Sequence, residues 1–385
     1  MIEEPNMQDL IMKAFEGNSN AQLELGNCYL NGWNIEENYE NAFMWYEKAA
    51  MQDNCEAQHN LALCYGNGLG RSYDADQSFY WYSKAAEKEM PEALYKVGLF
   101  YLEGTSVEKD LDLAFKYISE AAKYDIPLAV HDLGACYANG WGVSQNLEFA
   151  QKYFIKAARL DKEDGKCKFA LGICYLSGDC FEQDHNKAFY WIEQAALMDC
   201  PDAEVMLGDL YYNGIGCKEN KEMAIHCWEI AAKFEIPDAI YKLFCCYESG
   251  ECGYPINIQL AKELYLKAAN LGSSDAQVRC GLEYLQKDEP SDQEYQIAYE
   301  WLVKANDLNN PSAKMLLAEF YQNGIIVSES TSQALKLYEE ALNLGCYEAA
   351  DSIVICYKYG GNDMKPNTSK ARKLAKDFEL NYDEL

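Results

Sequence analysis

The sequence predicts an all-α fold, an α-solenoid built from about ten copies of one helix-turn-helix unit between terminal caps. The first observation is a tyrosine that recurs every 36 to 38 residues along the 385-residue chain. The second is a small residue eight positions before each tyrosine, and the third is a glycine three positions after nearly every one. The tyrosines are Tyr29, Tyr65, Tyr101, Tyr137, Tyr175, Tyr211, Tyr247, Tyr284, Tyr321 and Tyr357.

The first helix of each unit is predicted between the small residue and the glycine. Ala21, Leu25, Cys28 and Tyr29 have the spacing that places them on one helical face. Five units carry a proline two residues before the small residue, a first-turn position where a missing amide hydrogen costs nothing. These prolines are Pro91, Pro127, Pro201, Pro237 and Pro311. The glycine is predicted to end the helix in the left-handed conformation.

The second helix of each unit is predicted to begin after an Asn or Asp that caps its free amides. The predicted caps are Asn38, Asp74, Asp110, Asn146, Asp184, Asn220 and Asn257. A core stripe such as Ala42, Trp45, Tyr46 and the pair Ala49–Ala50 follows, and the Ala-Ala pair recurs in later units. A hairpin this short cannot bury its apolar face alone, so neighbouring units must stack.

The array is predicted to form one continuous domain with a cap at each end. Residues 1–20 are predicted to be a capping helix, 21–369 the repeats with a tenth unit degenerate from 349, and 370–385 a closing cap. The eighth unit departs from the pattern, because Lys287 occupies the glycine position and Pro290 follows soon after. We therefore expect a different turn there.

These units resemble Sel1-like repeats. The segment Ala57–Gly68 reads Ala-Gln-His-Asn-Leu-Ala-Leu-Cys-Tyr-Gly-Asn-Gly, and Leu133–Val143 and Leu207–Gly216 carry the same Leu-Gly, Tyr and Asn-Gly pattern. The resemblance covers about residues 7–385. It implies a right-handed superhelix related to tetratricopeptide arrays. It also implies a role as an adaptor, scaffold, bacterial host-interaction factor or immunity protein.

The chain is strongly acidic, with 33 Lys and Arg against 62 Asp and Glu and a formal charge of −29. Phosphates repel such a chain, so we expect neither general nucleic-acid binding nor docking on anionic membranes. The acidic N-terminal residues lack an apolar signal-peptide core, and no stretch is long enough for membrane insertion. We therefore predict that the protein is cytoplasmic. Part of the charge lies at helix N-termini, where carboxylates are favourable, and the rest forms either a solvated surface or a groove for a basic partner.

Sixteen cysteines invite a disulfide or metal interpretation. Six of them share the position directly before the repeat tyrosine, where a buried free thiol fits the core. These are Cys28, Cys64, Cys136, Cys174, Cys246 and Cys356. Stacked repeats hold equivalent positions too far apart for disulfides. The secreted branch of Sel1-like proteins pairs cysteines at the ends of both helices, and here the matching second-helix position is alanine.

The sequence offers no strong metal, cofactor or catalytic motif. Cys245, Cys246 and Cys252 lack a second CxxC and spaced histidines, and Cys245 should point away from Cys246 on a helix. No GxSxG, P-loop or HExxH is present. We therefore predict no cofactor, no metal site and no enzyme, and retain a hydrolase only as a remote alternative.

The candidate partner-binding residues lie on the first helices of the units. By analogy with tetratricopeptide arrays, these helices are expected to line the concave face. His59 and His131 share one position there and are either plain surface residues or pH-sensitive contacts. Aromatic residues among polar neighbours are typical of interfaces, and an Asn beside the glycine is alternatively a helix-end residue. The candidates are His59, Asn67, Tyr95, Glu103, His131, Asn139, Phe169, Tyr212, Tyr241 and Glu248.

The favoured hypothesis is a non-enzymatic scaffold or adaptor that binds another protein, expected to have a basic surface, in a concave acidic groove. The alternative within that class is an immunity or inhibitor protein that neutralises a basic toxin or effector. The oligomeric state, the organism and the partner's identity stay open.

Overall fold

A computed structural model of the chain describes residues 7–250, 255–378 and 380–382. Over these ranges every regular element is a helix, and there is no strand. The all-α prediction is therefore confirmed. The chain divides into two compact units, Met1–Cys200 and Pro201–Leu385, which we call unit 1 and unit 2.

Unit 1 contains eleven helices over its described residues. They are α1 (Met7–Phe15), α2 (Ser19–Asn31), α3 (Tyr39–Ala50), α4 (Cys55–Asn67), α5 (Ala75–Ala86), α6 (Pro91–Glu103), α7 (Leu111–Ala122), α8 (Pro127–Asn139), α9 (Leu147–Leu160), α10 (Lys166–Ser177) and α11 (His185–Ala196). The even-numbered helices are the first helices of the repeats, called A helices below. The odd-numbered helices from α3 onward are the second helices, called B helices.

Unit 2 continues the same alternation with ten helices over its described residues. They are α12 (Pro201–Asn213), α13 (Lys221–Lys233), α14 (Pro237–Ser249), α15 (Ile258–Asn270), α16 (Ser274–Leu285), α17 (Asp292–Asp307), α18 (Pro311–Asn323), α19 (Thr331–Asn343), α20 (Ala349–Tyr359) and α21 (Thr368–Asp377). Within each unit a helix packs mainly on its neighbours in sequence, which is the arrangement of an α-solenoid.

The predicted N-caps of the B helices are confirmed. Each cap side chain accepts a hydrogen bond from the backbone amide three residues later, as Asp74 Oδ1 does from the Gln77 amide at 3.0 Å. The seven caps are Asn38, Asp74, Asp110, Asn146, Asp184, Asn220 and Asn257. The bond satisfies one of the amides that have no partner inside the helix, so the sequence sets where each B helix begins.

The repeat glycines end the A helices with positive φ angles, as predicted, from 63° at Gly324 to 78° at Gly104. Gly360 in the tenth repeat differs, because its ψ of −151° takes the chain out of the left-handed helical region. The loop there folds back on itself, and the Gly361 amide donates to Met364 O at 2.8 Å.

The repeat tyrosine links the B helices on either side of its own A helix. Tyr101 meets Phe79 of the preceding B helix edge-on at 5.7 Å and stacks on Tyr117 of the following one at 5.8 Å. Tyr137 repeats this arrangement one unit later with an edge contact and a stack. Aromatic pairs in these geometries stabilise beyond the area they bury, which explains why the tyrosine recurs.

The A and B helices of one repeat cross closely at a small residue three positions before the tyrosine. At Gly98 an added Cβ would lie 2.7 Å from Ile118 Cγ1, well inside van der Waals contact. Any side chain there would push the two helices apart. The glycine thus sets the separation of the helices within the hairpin.

Buried glutamines tie three A helices, α2, α4 and α16, to the helix that precedes each of them. Gln22, Gln58 and Gln277 follow the small residue of their repeats, and each is nearly inaccessible to solvent. Their amide nitrogens donate to Ala14 O, Ala50 O and Ala269 O at 3.0 to 3.3 Å. These carbonyls lie near the C-terminal ends of helices, where backbone acceptors lack intrahelical donors.

The eighth repeat replaces the glycine turn with a polar one, as its sequence led us to expect. Helix α16 stops at Leu285, and the Lys287 ammonium pairs with the Glu294 carboxylate. Ser291 and Glu294 form a reciprocal capping box at the start of α17. These contacts begin the B helix without the usual Asn or Asp.

The predicted boundaries of the array fall inside helices. Helix α2 begins at Ser19, two residues before the predicted start at 21, and α21 begins at Thr368, before the predicted end at 369. The reason is the cap, since Asn18 and Asn367 each bind an amide three residues later and so set the helix starts. Helix α21 packs on α20 through the buried Ala371 and Ala375 as a tenth B helix.

The cysteine position before the repeat tyrosine faces the core. Cys64, Cys136, Cys246 and Cys356 are buried there, while Cys28 and Cys174 are partly buried. Burial raises the pKa of Cys64 to about 11, which keeps its thiol protonated and unreactive. Cys245 is exposed beside the buried Cys246, as the helical spacing predicts, and Cys252 lies outside the described residues.

Candidate functional site

The ten predicted partner-binding residues fall into two clefts and several separate positions. Asn67 and Glu103 line one cleft in unit 1. Tyr212, Tyr241 and Glu248 line a larger one in unit 2. The other five lie on A helices of unit 1 outside these clefts, and the assignment of all these residues to a partner stays a prediction.

His59 is more buried than expected for a surface residue that contacts a partner. Its ring meets Tyr82 edge-on at 5.3 Å, and Nδ1 is buried with no hydrogen-bond partner among the described residues. Burial lowers the pKa of His59, outweighing the opposite influence of Glu92. The imidazole is thereby held neutral, because a buried cation without a partner is costly.

His131 occupies the same repeat position with different partners. Its Nδ1 lies 3.0 Å from Asp132 Oδ1, its ring is 5.0 Å from that of Phe154, and a quarter of its side chain is exposed. Asp132 also accepts a hydrogen bond from the Tyr95 hydroxyl at 2.7 Å. Tyr95 is only 9% exposed, so its ring belongs to the core and offers little surface to a partner.

Asn139 forms a hydrogen bond within its own helix, and Phe169 is half-buried on its helix. The Asn139 amide donates to Ala135 O at 3.0 Å, and Asn213 and Asn323 make the equivalent bond to the carbonyl four residues earlier. This bond satisfies a carbonyl in the last turn, which is the helix-end role that we kept as the alternative for these asparagines. Phe169 is half-buried on α10.

The unit 1 cleft, called the pocket below, lies between α4 and α6 over α5 and has a volume of about 270 Å³. Leu63, Leu99 and Tyr82 line its apolar part. Lys96 and Glu103 are its charged lining residues. The pocket is small, and the opposite charges of Lys96 and Glu103 leave its lining with no net charge.

The unit 2 cleft, called the groove below, crosses α12, α14 and the start of α16 and has a volume of about 800 Å³. Three aromatic side chains line it, with the rings of Tyr212 and Trp228 5.6 Å apart and Tyr241 on the next A helix. Four carboxylates line it as well. They are Asp209, Asp238, Glu248 and Asp275. Lys242 is the lining cation, so the groove carries an excess of negative charge.

Hydrogen bonds and ion pairs orient the groove carboxylates. Asp209 Oδ1 accepts from Trp228 Nε1 at 3.2 Å and pairs with Lys242 at 3.0 Å. Glu248 Oε1 pairs with Arg279 at 2.6 Å. Asp275 Oδ1 accepts from the Asn310 amide at 2.7 Å. In each of these contacts one carboxylate oxygen is used, and a carboxylate has acceptor capacity for further donors.

Burial raises the pKa of Tyr241 to about 12, and the neighbouring Cys245 and Asp275 act in the same direction. Although Cys245 is exposed as a residue, partial desolvation of its thiol raises its pKa, and Glu248 adds to the effect. Both groups are therefore neutral near pH 7.

Our sequence reasoning missed Asp209, Trp228, Lys242 and Asp275 as groove residues. Asp209 occupies the position two before the repeat tyrosine, where the pocket has Leu63 and Leu99. A carboxylate at a position that is apolar in most other repeats was the available signal. Trp228 comes from a B helix, so a search confined to A helices could not find it.

No group of three or more His, Cys, Asp or Glu side chains suited to a metal ion occurs in the described part of the chain. Over the same residues, no helix is long and apolar enough to span a bilayer.

A family model described as the Sel1 repeat matches the chain ten times. The matched segments are 19–54, 55–90, 91–123, 127–162, 165–200, 201–233, 237–273, 274–310, 311–346 and 344–376. Together they cover most of the chain and agree with the hairpins described above.

Solved structures with the same fold include two that cover much of the chain. A protective antigen of uropathogenic Escherichia coli with an SLR fold is 25% identical, covers 99% of this chain and 91% of its own, and gives a TM-score of 0.50. A Sel1 repeat protein from Oxalobacter formigenes is 33% identical over 58% of this chain and 89% of its own, with a TM-score of 0.54.

Curated relatives match over shorter segments. An uncharacterized protein of Neisseria meningitidis serogroup B is 26% identical over 46% of this chain and 36% of its own length. The chitin synthase regulator SKT5 of Saccharomyces cerevisiae is 44% identical over 19% of this chain and 11% of its own. The chain thus spans well under two thirds of the curated relatives that it matches.

Proposed function

Because the chain belongs to the Sel1 repeat family, whose members are generally non-catalytic protein-interaction scaffolds, we propose that it binds a basic partner protein through the groove of unit 2. The observation that carries the proposal is the combination of three aromatic side chains and four carboxylates around a cleft of about 800 Å³. Aromatic anchors surrounded by polar groups are the usual composition of interface hot spots.

The net charge supports a basic partner. The chain carries 62 acidic against 33 basic side chains, so its field attracts cationic proteins and raises their association rate. Complementary charge mainly adds rate and selectivity, whereas the buried aromatic contacts supply affinity. The groove offers both kinds of contact within a single cleft.

The experiment is capture of partners on the immobilised chain, followed by direct binding of each purified candidate by surface plasmon resonance. We expect a saturable complex with a protein of basic surface, weakened about tenfold or more between 50 and 500 mM NaCl. A partner whose binding is independent of salt and of the groove carboxylates would refute the proposal. A partner enzyme that loses activity on binding would make the chain an inhibitor within the same proposal.

A further inference from the structure

We propose that the groove of unit 2 contains a subsite for one guanidinium group of the basic partner, formed by Asp209 and the Trp228 ring, and that Lys242 fills this subsite in the free chain. The inference rests on the proposed function and specifies the chemical group that the groove takes. Binding is then an exchange, in which an arginine of the partner replaces the chain's own lysine.

Three helices of unit 2 meet at the subsite, and each contributes one side chain. Asp209 comes from α12, Trp228 from α13 and Lys242 from α14. Asp209 Oδ1 accepts a hydrogen bond from Trp228 Nε1 at 3.2 Å and lies 3.0 Å from the Lys242 ammonium. The same ammonium lies 5.6 Å from the centre of the Trp228 ring. The chain thus already holds a cation against both a carboxylate and an aromatic ring, and each of these groups attracts cations.

The Lys242 side chain can leave the subsite at little cost. It is 33% exposed and Asp209 is 29% exposed, so water reaches the ion pair. Such pairs contribute little net stability, because solvent screens the charges and the long side chain loses rotamer freedom. The flexible stem of a lysine can turn its ammonium towards solvent. Trp228 stays in place meanwhile, since it is packed in the core of unit 2.

The subsite suits a guanidinium better than the ammonium that fills it. A guanidinium is planar, presents paired N–H donors to a carboxylate and stacks on aromatic rings, whereas an ammonium is a strongly hydrated point charge. The next repeat contains an example of such a pair. Arg279 occupies the same repeat position as Lys242, and its Nη2 lies 2.6 Å from Oε1 of Glu248, another groove residue. An arginine of the partner at Asp209 would form the same kind of pair.

The pocket of unit 1 lacks this subsite. Lys96 occupies the same repeat position as Lys242, but the pocket has Leu63 at the position of Asp209. A leucine offers neither charge nor acceptor to a cation. The carboxylate at this one position therefore distinguishes a cation subsite from an apolar cleft with the same helical plan.

The test uses the full chain labelled with fluorotryptophan and follows the fluorine NMR signal of Trp228, which the variant Trp228→Phe identifies. The probes are Nα-acetyl-arginine amide and Nα-acetyl-lysine amide, titrated at constant ionic strength. We expect a saturable shift of the Trp228 signal with the arginine probe. The dissociation constant of the lysine probe should be higher by about threefold or more.

The variant Lys242→Met removes the ammonium and keeps a long apolar side chain. It should tighten binding of the arginine probe about fivefold, because the probe no longer competes with the chain's own cation. The matched control Lys221→Met removes the same charge from a lysine 5.1 Å from the centre of the Tyr212 ring, and should change binding less than about twofold. Adding Asp209→Asn should abolish the gain from Lys242→Met, since Asp209 is the anion for which the two cations compete.

The dispersion of the other fluorotryptophan signals verifies that each variant is folded. Equal effects of the two lysine variants, or a gain from Lys242→Met that survives Asp209→Asn, would overturn the inference, because the groove would then respond to net charge alone. A Trp228 signal that the arginine probe shifts in neither the wild type nor Lys242→Met would overturn it too. If a captured basic protein still binds through the groove carboxylates in these cases, the proposed function stands; if none binds, both fail.

Discussion

The pocket of unit 1 and the groove of unit 2 lie at equivalent positions of the repeat, four repeats apart. Each lies between two A helices over the intervening B helix, and Lys96 and Lys242 occupy the same repeat position. At the matching B-helix position the pocket has Tyr82 and the groove has Trp228. The backbone plan is therefore shared, and the difference between the clefts comes from side chains.

A few substitutions account for that difference. Leu63 is replaced by Asp209 and Leu99 by Cys245 at the position two before the repeat tyrosine, and Gly66 by Tyr212 directly after it. The first change places a carboxylate where the pocket has an apolar side chain, the second replaces leucine with a smaller thiol side chain, and the third adds an aromatic wall. A solenoid can thus change the chemistry of one cleft without changing its hairpins, because the core positions are elsewhere in the repeat.

The largest expected effect is on stability, from Trp228→Ala at the base of the groove. Trp228 is only 4% exposed and packs in the core of unit 2. Truncating it should cost about 3–5 kcal/mol in free energy of unfolding, from lost burial and the cavity left behind. Urea denaturation followed by circular dichroism measures this. Trp228→Phe is the control and should retain most of the stability; a loss below about 1.5 kcal/mol would mean that the groove is not built on this residue.

The second prediction concerns the helix crossing beneath each cleft. An added Cβ at Gly208 would lie 2.6 Å from Trp228 Cδ1, whereas the pocket already accommodates Ala62 at the same position over Tyr82. Gly208→Ala should therefore destabilise the chain by about 1–3 kcal/mol through overpacking, despite alanine's higher helix propensity. Ala62→Ser is the matched small change in unit 1. A stabilised Gly208→Ala variant would show that the crossing can relax.

The third prediction concerns the variant Asp209→Leu, which introduces into the groove the residue that the pocket has at the same repeat position. Trp228 Nε1 keeps a second acceptor in Val205 O at 3.3 Å, and Lys242 is partly solvated, so stability should change by less than about 1 kcal/mol. Binding of a basic partner protein captured on the chain should fall about fivefold, since one oriented carboxylate is lost. Surface plasmon resonance and urea denaturation on the same samples separate the two effects, and unchanged binding of that partner would exclude Asp209 as a contact.

The smallest effect is a pH dependence at His59 in unit 1, a position that is not titratable in the groove repeat. Burial lowers the pKa of His59, whereas the groove has Val205 at the same position. The unfolded chain therefore binds a proton more readily than the folded chain. His59's contribution to stability is complete above the unfolded pKa of about 6.5 and is lost as the pH falls through the lower folded pKa.

The variant His59→Val places the groove residue in the pocket repeat and should remove this acid-induced loss. The measurement is the urea midpoint at pH 7.5 and at pH 5.5 for the wild type and the variant. Any remaining difference between the two pH values in the variant reports on other groups. An identical pH response in both proteins would show that His59 is solvated in the folded chain.

The sequence alone determined the hairpins, because their signals are local. A cap such as Asp74 acts within three residues, a glycine such as Gly104 ends its helix in place, and a period of about 36 residues repeats both signals in most of the ten units. The core position of Cys136 follows from the same helical periodicity.

Only the tertiary structure decided which predicted contacts share a cleft. Tyr95 and Tyr241 occupy the same repeat position, yet the structure buries Tyr95 against Asp132 and leaves Tyr241 lining the groove. The repeat pattern assigns both residues the same repeat position, because it records only the spacing of residues along one helix. The environment of each side chain depends on the residues that neighbouring helices bring beside it, and those lie tens of residues away in the sequence.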